Sequence, residues 1–196
     1  TLLYFLRQKY CKNILVISFK YGQKHSKELH CIKRLCKILK LEHIILDLSQ
    51  LGLYLKSSLT QKTLKTPLDQ HYTDQNQRVT VVPFRNTWML IIAASIARSK
   101  NIKDIYYAAH KNDTAIYPDC RPEYVRALNR FLKIADYEKV EIHAPFIHLT
   151  KAEIVKLGIK LKVPYQLTWT CYEGRDKPCG RCATCLERIE AFKKNN

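Results

Sequence analysis

The sequence predicts an α/β protein: a mostly parallel sheet with flanking helices, plus a small C-terminal zinc-binding segment. Three observations predict it. Short apolar runs rich in β-branched residues alternate with stretches whose apolar residues recur at helical spacing, the pattern of strands joined by crossover helices. The chain has 196 residues, 46% of them hydrophobic and 10% aromatic, enough to bury a full core and unlike a disordered composition. Four of its eight cysteines crowd into residues 171–185.

Taken in order, residues 1–10 place Leu2, Leu3, Phe5 and Leu6 as a buried helix would. Residues 13–19 (N-I-L-V-I-S-F) read as a fully buried strand, and Tyr21, Gly22 and Gln23 as the turn after it. From Ser26 a helical stripe runs through Leu29, Ile32, Leu35, Cys36 and Leu39. Residues 43–48 (H-I-I-L-D-L) give a second buried strand. A long irregular segment follows over 49–85, a length that is uncommon inside a compact domain and usually functional or mobile. Asn86 is expected to cap an apolar helix over 87–99, ended by Lys100 and Asn101. Residues 102–109 contain the next strand. Pro122 suits the first position of a helix that continues to Lys133. Residues 141–143 form a brief strand. Thr150 and Glu153 make a T-x-x-E capping box for a helix through Leu157, with Gly158 near its end, and a last helix runs over 187–192. Short parallel strands joined by right-handed crossovers bind ligands at their carboxyl ends, so attention falls on the residues after Phe19, Asp47 and Ala109.

Cys171, Cys179, Cys182 and Cys185 are spaced C-x7-C-x2-C-x2-C. Two overlapping C-x-x-C turns can aim four thiolates at one centre, and four thiolates complete the tetrahedron of a structural zinc site with no position open for chemistry. Gly180 supplies backbone freedom for one turn. Arg175, Lys177 and Arg181 are placed to offset the negative charge of such a site. Disulfides, or reduced cysteines without a metal, are the competing readings. The remaining cysteines (Cys11, Cys31, Cys36 and Cys120) show no pairing pattern, which fits a reducing cytoplasm.

The formal net charge is +17, the electrostatic footprint of a nucleic-acid binder. The lysines are spread along the whole chain, however, and no basic block with interleaved aromatics occurs. The longest apolar runs, such as 88–97, are too short to span a bilayer, and the opening residues do not form a signal peptide.

The strand ends carry a resemblance. F-K-Y-G-Q-K-H (19–25), V-P-F-R-N (82–86), Y-P-D-C-R-P-E-Y (117–124), L-T-K-A-E-I (149–154) and T-W-T-C-Y followed by C-G-R-C-A-T-C (168–185) stand in the order and spacing of the 7-cyano-7-deazaguanine synthase family. The chain resembles that family over essentially its whole length. The resemblance implies a PP-loop ATP pyrophosphatase-like fold, with a nucleotide-binding α/β domain over 1–160 and a zinc-binding segment and closing helix over 161–196. It implies bound zinc, ATP with Mg2+, and a homodimer. It also implies conversion of 7-carboxy-7-deazaguanine and ammonia to the nitrile, through an adenylated carboxylate and an amide.

In that scheme Arg85 and Arg121 are candidates for holding anionic groups, because a guanidinium stays charged and matches carboxylate or phosphate oxygens with its fork. Arg121 also precedes a helix start, where anions are favoured. Asp113 and Asp119 could hydrogen-bond the substrate base or bind Mg2+ through phosphates; turn and cap chemistry is the alternative. Tyr21 and Gln23 could face a purine, or could simply build the turn. His25 is a weaker candidate for a base.

The family's phosphate loop, S-G-G-x-D-S, occurs nowhere in the 196 residues. Thr1 and Leu2 align with the helix turn that follows it, so the chain is expected to begin just after the loop, without the first strand. Lys20 stands where the family has aspartate, and Phe84, Ala108 and Ile116 where it has glycine. These departures keep open a non-catalytic remnant with the fold and zinc retained. The charge keeps open a basic zinc-containing RNA-binding module.

Overall fold

The computed structural model of the protein describes residues 1–10, 13–174 and 176–195. Its internal contacts divide the chain into two units, Thr1–Pro83 with Ala152–Asn196, and Phe84–Lys151. Each unit carries one pair of parallel strands, in keeping with the predicted class.

In the first unit, helix α1 (Leu2–Tyr10) precedes strand β1 (Leu15–Lys20), helix α2 (Lys27–Leu39) and strand β2 (Glu42–Asp47). β1 and β2 pair in parallel from Leu15 opposite Glu42 to Lys20 opposite Asp47, joined through α2 as a βαβ crossover requires. Leu29, Leu35, Cys36 and Leu39 are the buried stripe of α2. The helix ends on Lys40 in the left-handed region, and the Lys40 and Leu41 N–H groups close onto the carbonyls of Lys37 and Cys36. The two strands are less buried than the sequence suggests. Residues of β1 are half-buried up to an exposed Lys20, and three of the six in β2 are exposed. In a two-stranded pair both strands are edges, so apolar runs do not imply cover on both faces.

The stretch after β2 is not irregular throughout. It opens with a short helix, α3 (Ser49–Gly52), and later forms a 3-10 turn over Gln75–Thr80 capped by the Asp74 side chain. Ser57, Ser58, Gln77 and Thr80 are almost wholly buried. The Ser58 N–H donates to Val79 C=O at 2.8 Å and Thr80 Oγ1 to Gln77 C=O at 2.7 Å. This segment also holds the turn after β1, since the Lys24 N–H donates to Leu59 C=O and the Lys24 ammonium to Leu64 C=O. The unit closes with helix α6 (Lys151–Lys160, its first residue belonging to the other unit) and helix α7 (Ala183–Lys193), which starts directly after Cys182. Gly158 lies near the end of α6, where the sequence places it, and the Tyr165 hydroxyl occupies the space that a β-carbon would take.

In the second unit, helix α4 (Arg85–Ser99) leads to strand β3 (Asp104–Tyr106), helix α5 (Pro122–Ala135) and strand β4 (Glu141–His143). β3 and β4 pair in parallel, Ile105 opposite Ile142. Leu90 and Ala94 of α4, Leu128 and Leu132 of α5 and Ile142 form the core. Asn129 locks α5 to β4 by taking the Ile142 N–H and donating to the Ile142 carbonyl, at 2.8 and 2.9 Å. α4 starts one residue before the expected Asn86 cap. Phe84 is its cap, in the left-handed conformation at φ 52°, and the residue is 78% exposed. Glycine suits that backbone and a β-carbon costs about 1 kcal/mol there. Ile116, the other bulky residue at a family glycine, has an ordinary right-handed backbone.

Candidate functional site

The first cluster is the cysteine centre. The chain packs closely at Gly174, where a β-carbon would lie 2.3 Å from the Lys177 carbonyl and 3.0 Å from Cys171 Sγ. Gly180, at φ 73°, bends the chain between Cys179 and Cys182. Between them the four sulfurs of Cys171, Cys179, Cys182 and Cys185 come within 4.8 Å of one another. A tetrahedron of thiolates about 2.3 Å from a metal has sulfur–sulfur edges of about 3.8 Å. The Cys182–Cys171 separation is 3.9 Å, far beyond a disulfide bond. None of the described cysteines is in a disulfide.

Backbone N–H groups also point at the sulfurs. Cys171 Sγ accepts from Gly174, Cys179 and Glu173 at 2.9, 3.3 and 3.4 Å, and Cys179 Sγ from Cys182 and Arg181 at 3.3 and 3.5 Å. Such donors place partial positive charge against the sulfurs. Burial acts the other way and pushes the Cys185 thiol above its usual range, so only a cation at the centre offsets the cost of four clustered thiolates. The donor set and its geometry can hold a metal ion. Of the three cations expected to balance it, Arg181 sends its guanidinium to the Asp69 carboxylate, Lys177 is exposed, and Arg175 lies outside the described residues.

The second cluster lies in the other unit and gathers four of the expected site residues around Cys120. The Asp119 carboxylate accepts the Asn86 N–H at 3.4 Å, and so satisfies a donor in the first turn of α4. Cys120 Sγ is 3.6 Å from the Asn86 amide nitrogen and 3.8 Å from Asp119 Oδ1. Burial pushes this thiol far above its usual range; Asp113 and Asp119 add to the shift and Arg85 opposes it. Arg121 Nε donates to the Thr114 carbonyl at 3.0 Å, and its two terminal nitrogens have no partner among the described residues. The Tyr107 hydroxyl donates to Asp119 C=O at 3.3 Å, tying this loop to the end of β3.

His110 is the residue that the sequence reading missed. It is 6% exposed, with Nε2 3.2 Å from Asp113 Oδ2. Burial, with Lys151 nearby, lowers its pKa to about 3, so the contact joins a neutral ring to the carboxylate and is not an ion pair. The H-x-x-D spacing just after Ala109, at a strand end, was the available signal. A native pKa below the unfolded value of about 6.5 makes stability fully present above that value and lost as pH falls through it. We expect this histidine to contribute a loss of up to about 1.4 kcal/mol per pH unit between about pH 6 and pH 3. Denaturant unfolding at pH 7 and pH 5 checks it: the drop should shrink in His110→Gln.

At the end of β1, the turn closes on itself. Gln23 Oε1 accepts the Tyr21 N–H at 2.8 Å, while Gln23 Nε2 reaches Phe19 C=O at 3.3 Å and Glu28 at 3.2 Å. Tyr21 is buried. The positive charge at Lys20 is paired with Asp47 at 2.9 Å. Hydrogen bonds from Ser49 and then Lys20 hold that carboxyl well below the usual range. Among the described residues no helix is long and apolar enough to cross a membrane.

The model of the family described as queuosine biosynthesis protein QueC matches residues 1–196. A 7-cyano-7-deazaguanine synthase of Caldicellulosiruptor saccharolyticus is 49% identical over 178 residues, covering 91% of this chain and 79% of that protein. The Hahella chejuensis synthase is 44% identical over 185 residues, covering 94% of this chain and 80% of that protein. The Archaeoglobus fulgidus synthase is 44% identical over all 196, or 81% of its own length. With a match from end to end and identities of this size, the chain belongs to the queuosine biosynthesis protein QueC family.

Proposed function

We propose that the protein is an ATP-dependent synthase that converts 7-carboxy-7-deazaguanine and ammonia to 7-cyano-7-deazaguanine. The observation that carries the reading is the run of relatives bearing that name, 42–49% identical over most of the chain. A carboxylate is a poor electrophile. Attack of its oxygen on the α-phosphorus of ATP expels pyrophosphate and installs AMP as a leaving group. Ammonia then displaces AMP to give the amide. A second activation, on the amide oxygen, lets AMP leave with that oxygen as two protons are lost, and the nitrile forms. The protein's share is to position reactants and stabilise developing charge.

Arg85 and Arg121 hold the anionic groups in this scheme, and the open end of the Arg121 guanidinium supports that role. Asp113 and Asp119 serve the base or the Mg2+ that accompanies ATP, and Tyr21 and Gln23 face the nucleotide. The domains divide into a nucleotide-binding part over 1–160 and a zinc-binding part over 161–196. Zinc is the ion for the Cys171, Cys179, Cys182 and Cys185 centre, as four sulfur donors favour it and leave no position for substrate. The protein works in the cytoplasm as a homodimer. The test is incubation of the metal-loaded protein with the acid, ATP, Mg2+ and ammonium, with detection by mass spectrometry. The nitrile and AMP should appear together and require every component. Bound zinc with no product would instead favour a non-catalytic relative.

A further inference from the structure

We infer that His110 is a positioning residue: its buried imidazole fixes the Asp113 carboxylate so that the carboxylate can take the N–H edge of the deazapurine base. The inference rests on the proposed role of Asp113 in holding that base. The backbone around the pair is already closed. The Lys111 N–H donates to Leu149 C=O at 2.9 Å, the Asp113 N–H to His110 C=O at 3.1 Å and the Tyr117 N–H to Asp113 C=O at 2.9 Å. The carboxylate's rotation is a further freedom, and the contact of His110 Nε2 with Asp113 Oδ2 at 3.2 Å restricts it.

The ring's environment fixes its tautomer. Nδ1 is buried and has no hydrogen-bond partner among the described residues. A proton there would be stranded, and an unprotonated Nε2 would set its lone pair against those of the carboxylate. The proton therefore sits on Nε2 and is donated to Asp113. Lys151 and Asp113 are the charged groups acting on the ring, and burial keeps it neutral throughout the neutral pH range. A neutral donor leaves the carboxylate its full negative charge. A guanine-like base presents a ring N–H and an exocyclic NH2 side by side, which suits an ionised carboxylate held at a fixed angle.

The experiment is calorimetric titration of the full chain with 7-carboxy-7-deazaguanine and with its analogue lacking the 2-amino group. The unmodified protein should prefer the amino compound. His110→Leu should raise the Kd for that compound about tenfold, the scale of one positioned hydrogen bond, and should erase the preference. His110→Gln, whose amide can reach the same oxygen, should restore both. Asp113→Asn is titrated in parallel. If Asp113→Asn weakens binding while His110→Leu leaves affinity and preference unchanged, the positioning role is overturned and the base-holding role stands. If Asp113→Asn binds as the unmodified protein does, or the unmodified protein shows no binding, the base-holding role fails and this inference with it. Should His110→Leu not fold, His110→Asn, too short to reach, carries the same test.

Discussion

Replacing Cys182 by serine is expected to release metal from the cluster and lower the melting temperature by about 6–20 °C. The residue has no exposed surface, supplies one of four clustered sulfurs, and immediately precedes α7. It also forms the bridge to Leu68, next to the Asp69–Arg181 pair. Free energy of metal binding at such a site is free energy of folding. Here the rest of the unit has its own core, so the expected loss is about 3–5 kcal/mol rather than complete unfolding, and a chain of this size shifts by about 2–4 °C per kcal/mol. Metal analysis and thermal melts check this, and a chelator acting on the unmodified protein should reproduce the mutant's melt. Full metal content and an unchanged melt in Cys182→Ser would remove the metal centre from the account.

The second large effect is expected at Gly52. A β-carbon there would lie 2.2 Å from the Tyr21 carbonyl oxygen and 3.1 Å from Gly22 Cα, both backbone atoms that cannot swing aside. Gly52→Ala must therefore push α3 away from the turn after β1, at a cost of about 2–4 kcal/mol. Gly180→Ala is the control. Its φ of 73° is unfavourable for alanine, but a β-carbon would touch nothing within 4 Å, so only the conformational cost of about 1 kcal/mol applies. Denaturant unfolding of both variants separates collision from backbone strain, and equal losses would contradict the close approach at Gly52. Movement of Tyr21 in Gly52→Ala should also weaken ATP binding, given the proposed role of the turn.

Gly52 shows what the sequence did not disclose. Nothing in the local pattern of residues 49–85 announces that its β-carbon position is filled by a carbonyl from residue 21. The same stretch is ordered by buried Ser57, Ser58, Gln77 and Thr80, polar residues that hydrophobic periodicity treats as surface. By contrast, the parallel strand pairs, α2 and the Pro122 helix start were legible, because each rests on a local rule of period or φ. The cysteine cluster that can hold a metal was legible for the same reason: its four sulfurs come from 15 residues and their spacing is itself the geometry. The start of α4 was misplaced by two residues, since its first turn is served by Asp119 from a distant loop and not by a side chain of its own cap. His110 was overlooked because its importance lies in burial, and a sequence gives no direct reading of which of seven histidines is buried.

The measurement that tests the proposed chemistry most directly is to offer the amide of 7-carboxy-7-deazaguanine in place of the acid, with ATP and no ammonia. If the protein activates twice in sequence, the amide should be converted to the nitrile with one AMP released per product, against two from the acid. Nitrile formed from the acid but never from the amide would contradict the two-activation account, as would conversion of the amide without ATP.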